Sequence, residues 1–308
     1  LLLCHLNMIL LLLLNKTNEE FSNYYRCDSR KISGIYKEVL DEEGANLVKK
    51  DYDLYYPCGY NNIEAQLTSL NINKNVKVFG ICGCDKIASK SYLWKLLEKH
   101  YGRNEATKVM PRTFLLNNEK HKELFKTYYN PNKHYILKKN IQRKKGIKIS
   151  NNLNEILNAY KHKYVLVQEM KESILINKRA MNIRLYLLVK CHGDKKEFFY
   201  HTLSKCLYAD TDKTDEVDNS FNTNITNSYS TSLDIYNKNP LTFNQLLMYF
   251  DNKLNYDSNV FMSNFNRLLE NLCNGVKKEI CNCSNLKDNE MYQLFGADIL
   301  IDKNFIPY

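Results

Sequence analysis

Apolar residues along this chain come in short runs set between polar stretches, and the spacing inside each run predicts its element. Residues 76–80 read as a short strand ended by a Gly/Cys turn, and 91–100, with Leu93, Leu96 and Leu97, as a helix. Pro111 punctuates the chain before a strand at 113–116. Strands at 135–137 and 146–149 flank a loop carrying Lys138, Lys139, Arg143, Lys144 and Lys145, and 153–160 reads as a helix. Two buried strands follow, 165–167 and 183–189, joined by a connection with both charge signs, then a strand at 198–203. Residues 209–239 turn to Asp, Asn, Ser and Thr, the composition of a loop or insertion, interrupted at 221–227. Helical spacing runs from 241 to 280 through Leu246, Phe250, Phe261, Phe265 and Leu269, and a last strand spans 292–301. Residues 15–75 are mixed and give weak signals, and no internal repeat is present. Alternating strands and helices predict an α/β or α+β chain built from several lobes.

The 308 residues suffice for one large domain or two to three smaller lobes. With 44% apolar residues and 23 tyrosines the chain is not disordered as a whole. Lys+Arg exceed Asp+Glu by 44 to 34, a net +10 that favours an acidic partner: nucleic acid, an anionic membrane or an acidic protein segment. The ten cysteines include the C-x-C pairs Cys82/Cys84 and Cys281/Cys283 without a histidine pair at ligand spacing. They read as neither a disulfide framework nor a zinc site, and a reduced cytosolic setting is the simpler expectation. Residues 1–14 are apolar but hold His5 and Asn7 and are too short to span a bilayer. A signal-peptide remnant, a buried helix and a gene-model artefact all fit them, and the leading leucine fits a record that begins inside a longer protein. Neither a P-loop nor G-x-G-x-x-G occurs, which excludes those two nucleotide folds. No RNP or zinc-finger module supports nucleic-acid binding.

Three features carry candidate chemistry. Arg184 lies inside an otherwise apolar strand, where an arginine is costly unless an anion pairs with it. Asp298 lies within Phe295-Gly296-Ala297-Asp298-Ile299-Leu300-Ile301 and also needs a partner, either magnesium bound to phosphates or a structural cation. The basic strand–loop–strand from Lys138 to Lys145 suits a polyphosphate. Separately each reads equally well as an internal salt bridge or a solvated turn; together they suggest a magnesium–nucleotide site.

With those residues in place, the chain resembles the tubulin–tyrosine ligase family, whose catalytic unit has an ATP-grasp fold. Gly83-Cys84-Asp85-Lys86-Ile87 with Lys90 and Leu93 is similar to that family's G-x-D-K-[LI]-x-x-K-x-x-L block. Pro111-Arg112-Thr113-Phe114-Leu115-Leu116 resembles P-x-T-F-x-L, and Tyr135-Ile136-Leu137-Lys138 with Gly146-Ile147 resembles W-I-x-K…G-I. The stretch from Val165 to Val189 is similar to V-I-Q-x-Y-[IL]…K-F-D-[IL]-R-x-[WY]-[VL]-L-V. Asn224-Ile225-Thr226-Asn227 resembles H-L-T-N, and Phe295-Gly296-Ala297-Asp298 resembles F-G-x-D.

The resemblance implies an ATP-grasp-like fold with the nucleotide between a central and a C-terminal lobe. It implies a division into 1–75, an N-terminal lobe at 76–110, a central lobe with the basic flap at 111–190, and a C-terminal lobe at 191–308 containing the 209–239 insertion. Lys138 would contact ATP phosphates, and Lys90 would lie on the nucleotide or acceptor side. Gln168, Glu169 and Met170 would face adenine. Arg184 would bind phosphate or the incoming amino acid with Lys205 as a second cation, Asn227 would contact nucleotide, and Asp298 would hold Mg2+. The implied activity is an ATP- and magnesium-dependent ligase that adds tyrosine or glutamate to tubulin through an acyl phosphate. The acidic tubulin tails would be its partner on cytoplasmic microtubules, including axoneme or basal body, with no membrane or nucleic acid involved. The sequence departs from the pattern at Ala180 and Asn182, where the family has lysine and aspartate, at a shortened loop after Lys138, and at Lys205, where arginine is usual. The E-x-N motif that follows F-G-x-D in the family is not reached by Tyr308. The alternative expectation is a degenerate member that binds tubulin or nucleotide without catalysis.

Overall fold

The computed structural model describes residues 22–27, 34–58, 63–141, 146–213, 221–226 and 233–308. Among these the strands, in chain order, are β1 (Asn23–Arg26), β2 (Asn46–Leu47), β3 (Leu54–Tyr56), β4 (Lys77–Phe79), β5 (Thr113–Leu115), β6 (Tyr135–Lys138) and β7 (Ile147–Ser150). They continue as β8 (Leu166–Glu169), β9 (Leu175–Ile176), β10 (Arg179–His192), β11 (Lys195–Tyr200), β12 (Lys205–Tyr208) and β13 (Met291–Leu300). The chain divides into two compact units, each assembled from three segments. One holds Leu1–Ala88, Tyr186–Leu203 and Lys277–Gly296, the other Ser89–Leu185, Ser204–Val276 and Ala297–Tyr308. Each of the stretches 76–110, 111–190 and 191–308 contributes to both units: the division falls between Ala88 and Ser89, within β10 after Leu185, and in 191–308 after Leu203, after Val276 and within β13 after Gly296.

In the first unit β2, β1, β3 and β4 lie side by side, with parallel pairs throughout. β13 joins β4 in parallel through Met291↔Val78, and β11 pairs antiparallel with β10 through Val189↔Phe198. Parallel strands are covered on both sides, and Leu54, Tyr55 and Tyr56 are accordingly all buried. Tyr55, Val78 and Leu67 pack in one cluster, and Tyr24, Leu54, Tyr56 and Leu40 in another. Residues 15–75, whose pattern gave weak signals, supply three strands and the helices Ile35–Glu42 and Ile63–Ser69. Strands of two to four residues are too short for periodicity to register.

The cysteine expectation is corrected here. Cys27–Cys58, Cys82–Cys283 and Cys191–Cys281 form disulfides with Cα separations of 5.1, 5.7 and 6.3 Å, inside the range a disulfide spans. Partners up to 201 positions apart leave no local spacing signal. Beside them Gly83 turns the chain at φ +87°, and a Cβ there would stand 2.1 Å from the Glu279 carbonyl oxygen. Glycine is the residue that fits.

The second unit is built on a four-stranded antiparallel sheet ordered β5-β8-β6-β7. Phe114, Tyr135, Leu137 and Val167 bury one face of it against Phe125 of the helix Glu119–Tyr128 and Ile156 of the helix Leu153–Asn158. The Glu119–Tyr128 helix was not expected from the pattern. It is started by Asn118, whose side chain accepts from the His121 N–H at 3.2 Å. The helical run at 241–280 is two helices, Phe243–Lys253 and Ser258–Val276, interrupted where Asn255 takes φ +50°. Leu97 of the helix Lys90–Tyr101 closes over Gly275, whose absent Cβ would meet it at 2.7 Å. β9 and β12 pair with the first half of β10, which starts at Arg179, ahead of the strand expected at 183. The strand expected at 198–203 is β11, displaced toward its N-terminus. No helix among the described residues is long and apolar enough to cross a membrane, and residues 1–14 lie outside them.

Candidate functional site

Lys138, the last residue of β6, is the centre of the site. Its Nζ donates to Gln168 Oε1 at 2.6 Å. Gln168 is buried on β8, and its amide donates to Thr113 Oγ1 at 2.8 Å and to the Pro111 carbonyl at 3.3 Å. Those two acceptors fix the amide so that its oxygen faces the lysine. Burial first, and then the positive charge of Lys90, bring the Lys138 ammonium down to about 8 against the opposing pull of Asp298.

Lys90 opens the helix Lys90–Tyr101, where its charge opposes the helix dipole. Its Nζ donates to the carbonyls of Ile141 at 2.9 Å and Lys139 at 3.3 Å. Burial lowers its pKa and Asp298 raises it. Lys90, Lys138 and Asp298 therefore act on one another, although they come from a helix start and two different strands.

Arg184 and Asp298 make a two-pronged pair, Nε to Oδ1 at 2.6 Å and Nη2 to Oδ2 at 3.2 Å. The expected burial of both residues is corrected. β10 alternates here, with Ile183 and Leu185 buried and Arg184 34% exposed, while Asp298 is 51% exposed. The cost of burying an unpaired charge therefore does not apply, and Asp298 has the structural cation as partner. Lys205 lies directly opposite Arg184 in the β10–β12 ladder, its Nζ 5.2 Å from the Tyr236 ring. Cross-strand partners project to one face, so two cations stand side by side.

The other expected positions separate. Glu169, one residue on from Gln168, points to the opposite sheet face, as alternation requires. There it pairs with Lys171 at 3.3 Å and lies 4.0 Å from Lys133. It also bonds the Tyr128 hydroxyl, which burial and Glu169 together push up to about 12. Met170 follows β8 and is half-buried. Asn182 donates to Thr226 Oγ1 at 3.0 Å, Ala180 is buried, and Asn227 lies outside the described residues. The sequence reading missed Thr113 and Pro111 as anchors of Gln168, and the Lys139 and Ile141 carbonyls that hold Lys90. The proline–threonine block marked the first pair only as a resemblance; backbone carbonyls leave no sequence mark.

Two half-desolvated lysines, an arginine and a further lysine suit a polyphosphate, which would relieve their mutual repulsion. The same region offers a divalent cation one carboxylate, Asp298, already held by Arg184. Among the described residues no group of three His, Cys, Asp or Glu side chains could hold a metal. The residues thus fit nucleotide phosphates, while a magnesium site is not complete in them.

The mixed α/β architecture, with Lys138 ending β6 of the four-stranded antiparallel sheet, is consistent with an ATP-grasp-like fold. The model of the Tubulin-tyrosine ligase family matches residues 70–308, and the chain belongs to that family. Its members are ligases, and they generally use ATP and Mg2+. No curated protein matches the chain.

Proposed function

We propose that this protein is an ATP-dependent ligase that joins an amino acid to a carboxyl group of tubulin or a similarly acidic protein. The observation that carries the reading is the electrostatic grouping of Lys90, Lys138 and Asp298 with the Arg184–Asp298 pair. When bound, ATP supplies the phosphoryl group that activates the acceptor carboxylate. The acceptor oxygen bonds to the γ-phosphorus as ADP departs; the amine then bonds to the acyl carbon as phosphate leaves and a proton is shed. Lys138, held by Gln168, meets the phosphate oxygens, and Lys90 adds a second positive charge on the same side. Arg184 and Lys205 form a paired cationic surface for a carboxylate or phosphate. Magnesium belongs to the reading through the family.

The test is incorporation of labelled tyrosine, glutamate or glycine into tubulin by the purified full-length protein with ATP. ATP-dependent transfer that K138M abolishes is expected; nucleotide binding without transfer of any of the three would overturn the reading. The alternative, a family member that binds without catalysis, is favoured by one observation. Ala180 and Asn182 stand in the strand position where the family carries lysine and aspartate, and Asn182 is engaged with Thr226. Gain of transfer in the A180K/N182D double variant of an inactive protein would support that alternative.

A further inference from the structure

Five cysteines of the first unit pack in one buried cluster: Cys82, Cys84, Cys191, Cys281 and Cys283. Four of them form the bonds Cys82–Cys283 and Cys191–Cys281. Because a single residue separates Cys281 from Cys283, both bonds meet at one short loop. The backbone sets that loop against the turn after β4, where the Cys281 N–H donates to the Cys82 carbonyl at 2.8 Å. Gly83 permits the approach, since a side chain there would strike the Glu279 carbonyl. Cys191 comes from β10, so three separate segments deliver four sulfurs to one place.

Such a set has a second chemistry. While the bonds stand none of the four sulfurs is a metal ligand, and no group of three His, Cys, Asp or Glu side chains among the described residues could hold a metal in this state. With the bonds reduced, four buried thiols match the closed Cys4 set of structural zinc sites. A tetrahedral zinc with Zn–S of about 2.3 Å holds its sulfurs about 3.8 Å apart, against about 2 Å in a disulfide. Each sulfur therefore moves by roughly 1 Å, within reach of side-chain rotation over Cα separations of 5.7 and 6.3 Å. The net negative charge of a zinc tetrathiolate also finds a partner. Lys196 stands opposite Cys191 in the β10–β11 ladder and donates to the carbonyls of Ile280, next to Cys281, at 2.8 Å and of Lys277 at 2.9 Å. Cross-strand partners project to one face, so this cation lies on the side that bears Cys191. Burial, and then the positive charge of Lys277, lower its pKa, and an anionic centre beside it would relieve both. Cys84 stays outside the set: burial, then Asp85 and Glu64, push its thiol up to about 12 and keep it protonated.

We infer that Cys82, Cys191, Cys281 and Cys283 form a redox-gated zinc site, a tetrathiolate in the reduced chain and two disulfides in the oxidised one. Each disulfide takes two electrons and two protons from a dithiol, which itself becomes a disulfide; Zn2+ then displaces the four thiol protons. Oxidation reverses both steps and releases the ion. In either state the turn after β4, the end of β10 and the loop before β13 remain tied together. The site is independent of Lys90, Lys138 and Asp298 and holds whether or not the protein is a ligase.

The test uses the full chain, reduced with a phosphine that leaves as its oxide while water supplies the oxygen and the protons. Anaerobic titration with Co2+ should give one ion per chain and the visible absorption of a tetrahedral tetrathiolate, both abolished by equimolar Zn2+. The unreduced chain should bind none, a comparison that alters no residue. Alkylation of the reduced, zinc-loaded chain should spare these four cysteines and label Cys27 and Cys58, as peptide mass spectrometry reads. C283S should lose the tetrathiolate spectrum and bind Co2+ roughly hundredfold more weakly or worse, whereas C84S should keep both. Absence of Co2+ binding by the reduced chain overturns the inference. So do a spectrum of fewer than four thiolates, equal binding by the unreduced chain, alkylation of the four cysteines unslowed by zinc, or loss of the site in C84S.

Discussion

Replacing Lys138 by methionine should make the ligand-free protein more stable while removing its nucleotide affinity. A lysine lowered from 10.5 to about 8 carries roughly 3 kcal/mol of unfavourable charging free energy in the folded state. Methionine has similar length and no charge, so that penalty disappears. Part of the gain is lost because Gln168 Oε1 forfeits its donor at a buried position, a cost of about 1–2 kcal/mol. The net expectation is about 1–2 kcal/mol of added stability near pH 7. The sign with pH is definite. The folded-state pKa is depressed, so the wild-type penalty is fully present below about 8 and fades as pH rises from there toward the unfolded value of 10.5, where the amine is neutral in both states. Urea denaturation of wild type and K138M at several pH values measures this directly, and ATP titration by calorimetry reads the loss of binding. A variant less stable than wild type near pH 7, or a stability difference that does not shrink on raising the pH, would refute the assignment of Lys138 as a strained phosphate ligand.

Arg184→Gln should alter stability by less than about 1 kcal/mol, since its pair with Asp298 is half exposed, yet lower transfer or nucleotide binding by roughly tenfold or more. Gly83→Ala should destabilise by about 3 kcal/mol or more in a melting experiment, because both the positive φ and the Glu279 carbonyl oppose a side chain. Alkylation of unfolded, unreduced protein should modify Cys84, Cys206 and Cys273 while leaving the six paired cysteines unlabelled until reduction, as peptide mass spectrometry would show. His121 accepts the Leu115 N–H and lies beside Arg103; burial first, then that arginine, holds it down to about 4. Between 6.5 and about 4 the unfolded chain therefore binds more protons, and stability should fall with pH across that window, less steeply in H121Q.

What was legible in the sequence was whatever depends on neighbours in the chain. The alternation around Tyr135 and Leu137, the apolar run at 165–167 and the final strand all became β-structure in nearly the expected places. Lys138 stood out because a basic run beside a strand is a local signal. Where the meaning lay in partners far along the chain, pattern failed. Arg184 was read as buried because its neighbours are apolar, but a sheet with one open face places alternate residues outside. Gln168 and Glu169 are adjacent in sequence and sit on opposite faces, so one steadies Lys138 and the other joins Tyr128 and Lys171. The cysteine pairs join residues between 31 and 201 positions apart, a relation that spacing rules for short loops and zinc sites do not cover.

The Arg184–Asp298 pair is where the two readings of this protein divide. As long as the guanidinium holds both carboxylate oxygens, Asp298 has little capacity left for a cation, and Arg184 has little for phosphate or substrate. Polyphosphate arriving at Lys90 and Lys138 would compete for Arg184 and release Asp298, so ligand binding and cation binding would be coupled. Magnesium should therefore strengthen ATP binding by this protein, and D298N should cancel that gain. Equal ATP affinity with and without magnesium would leave Asp298 as Arg184's structural partner and favour the non-catalytic reading.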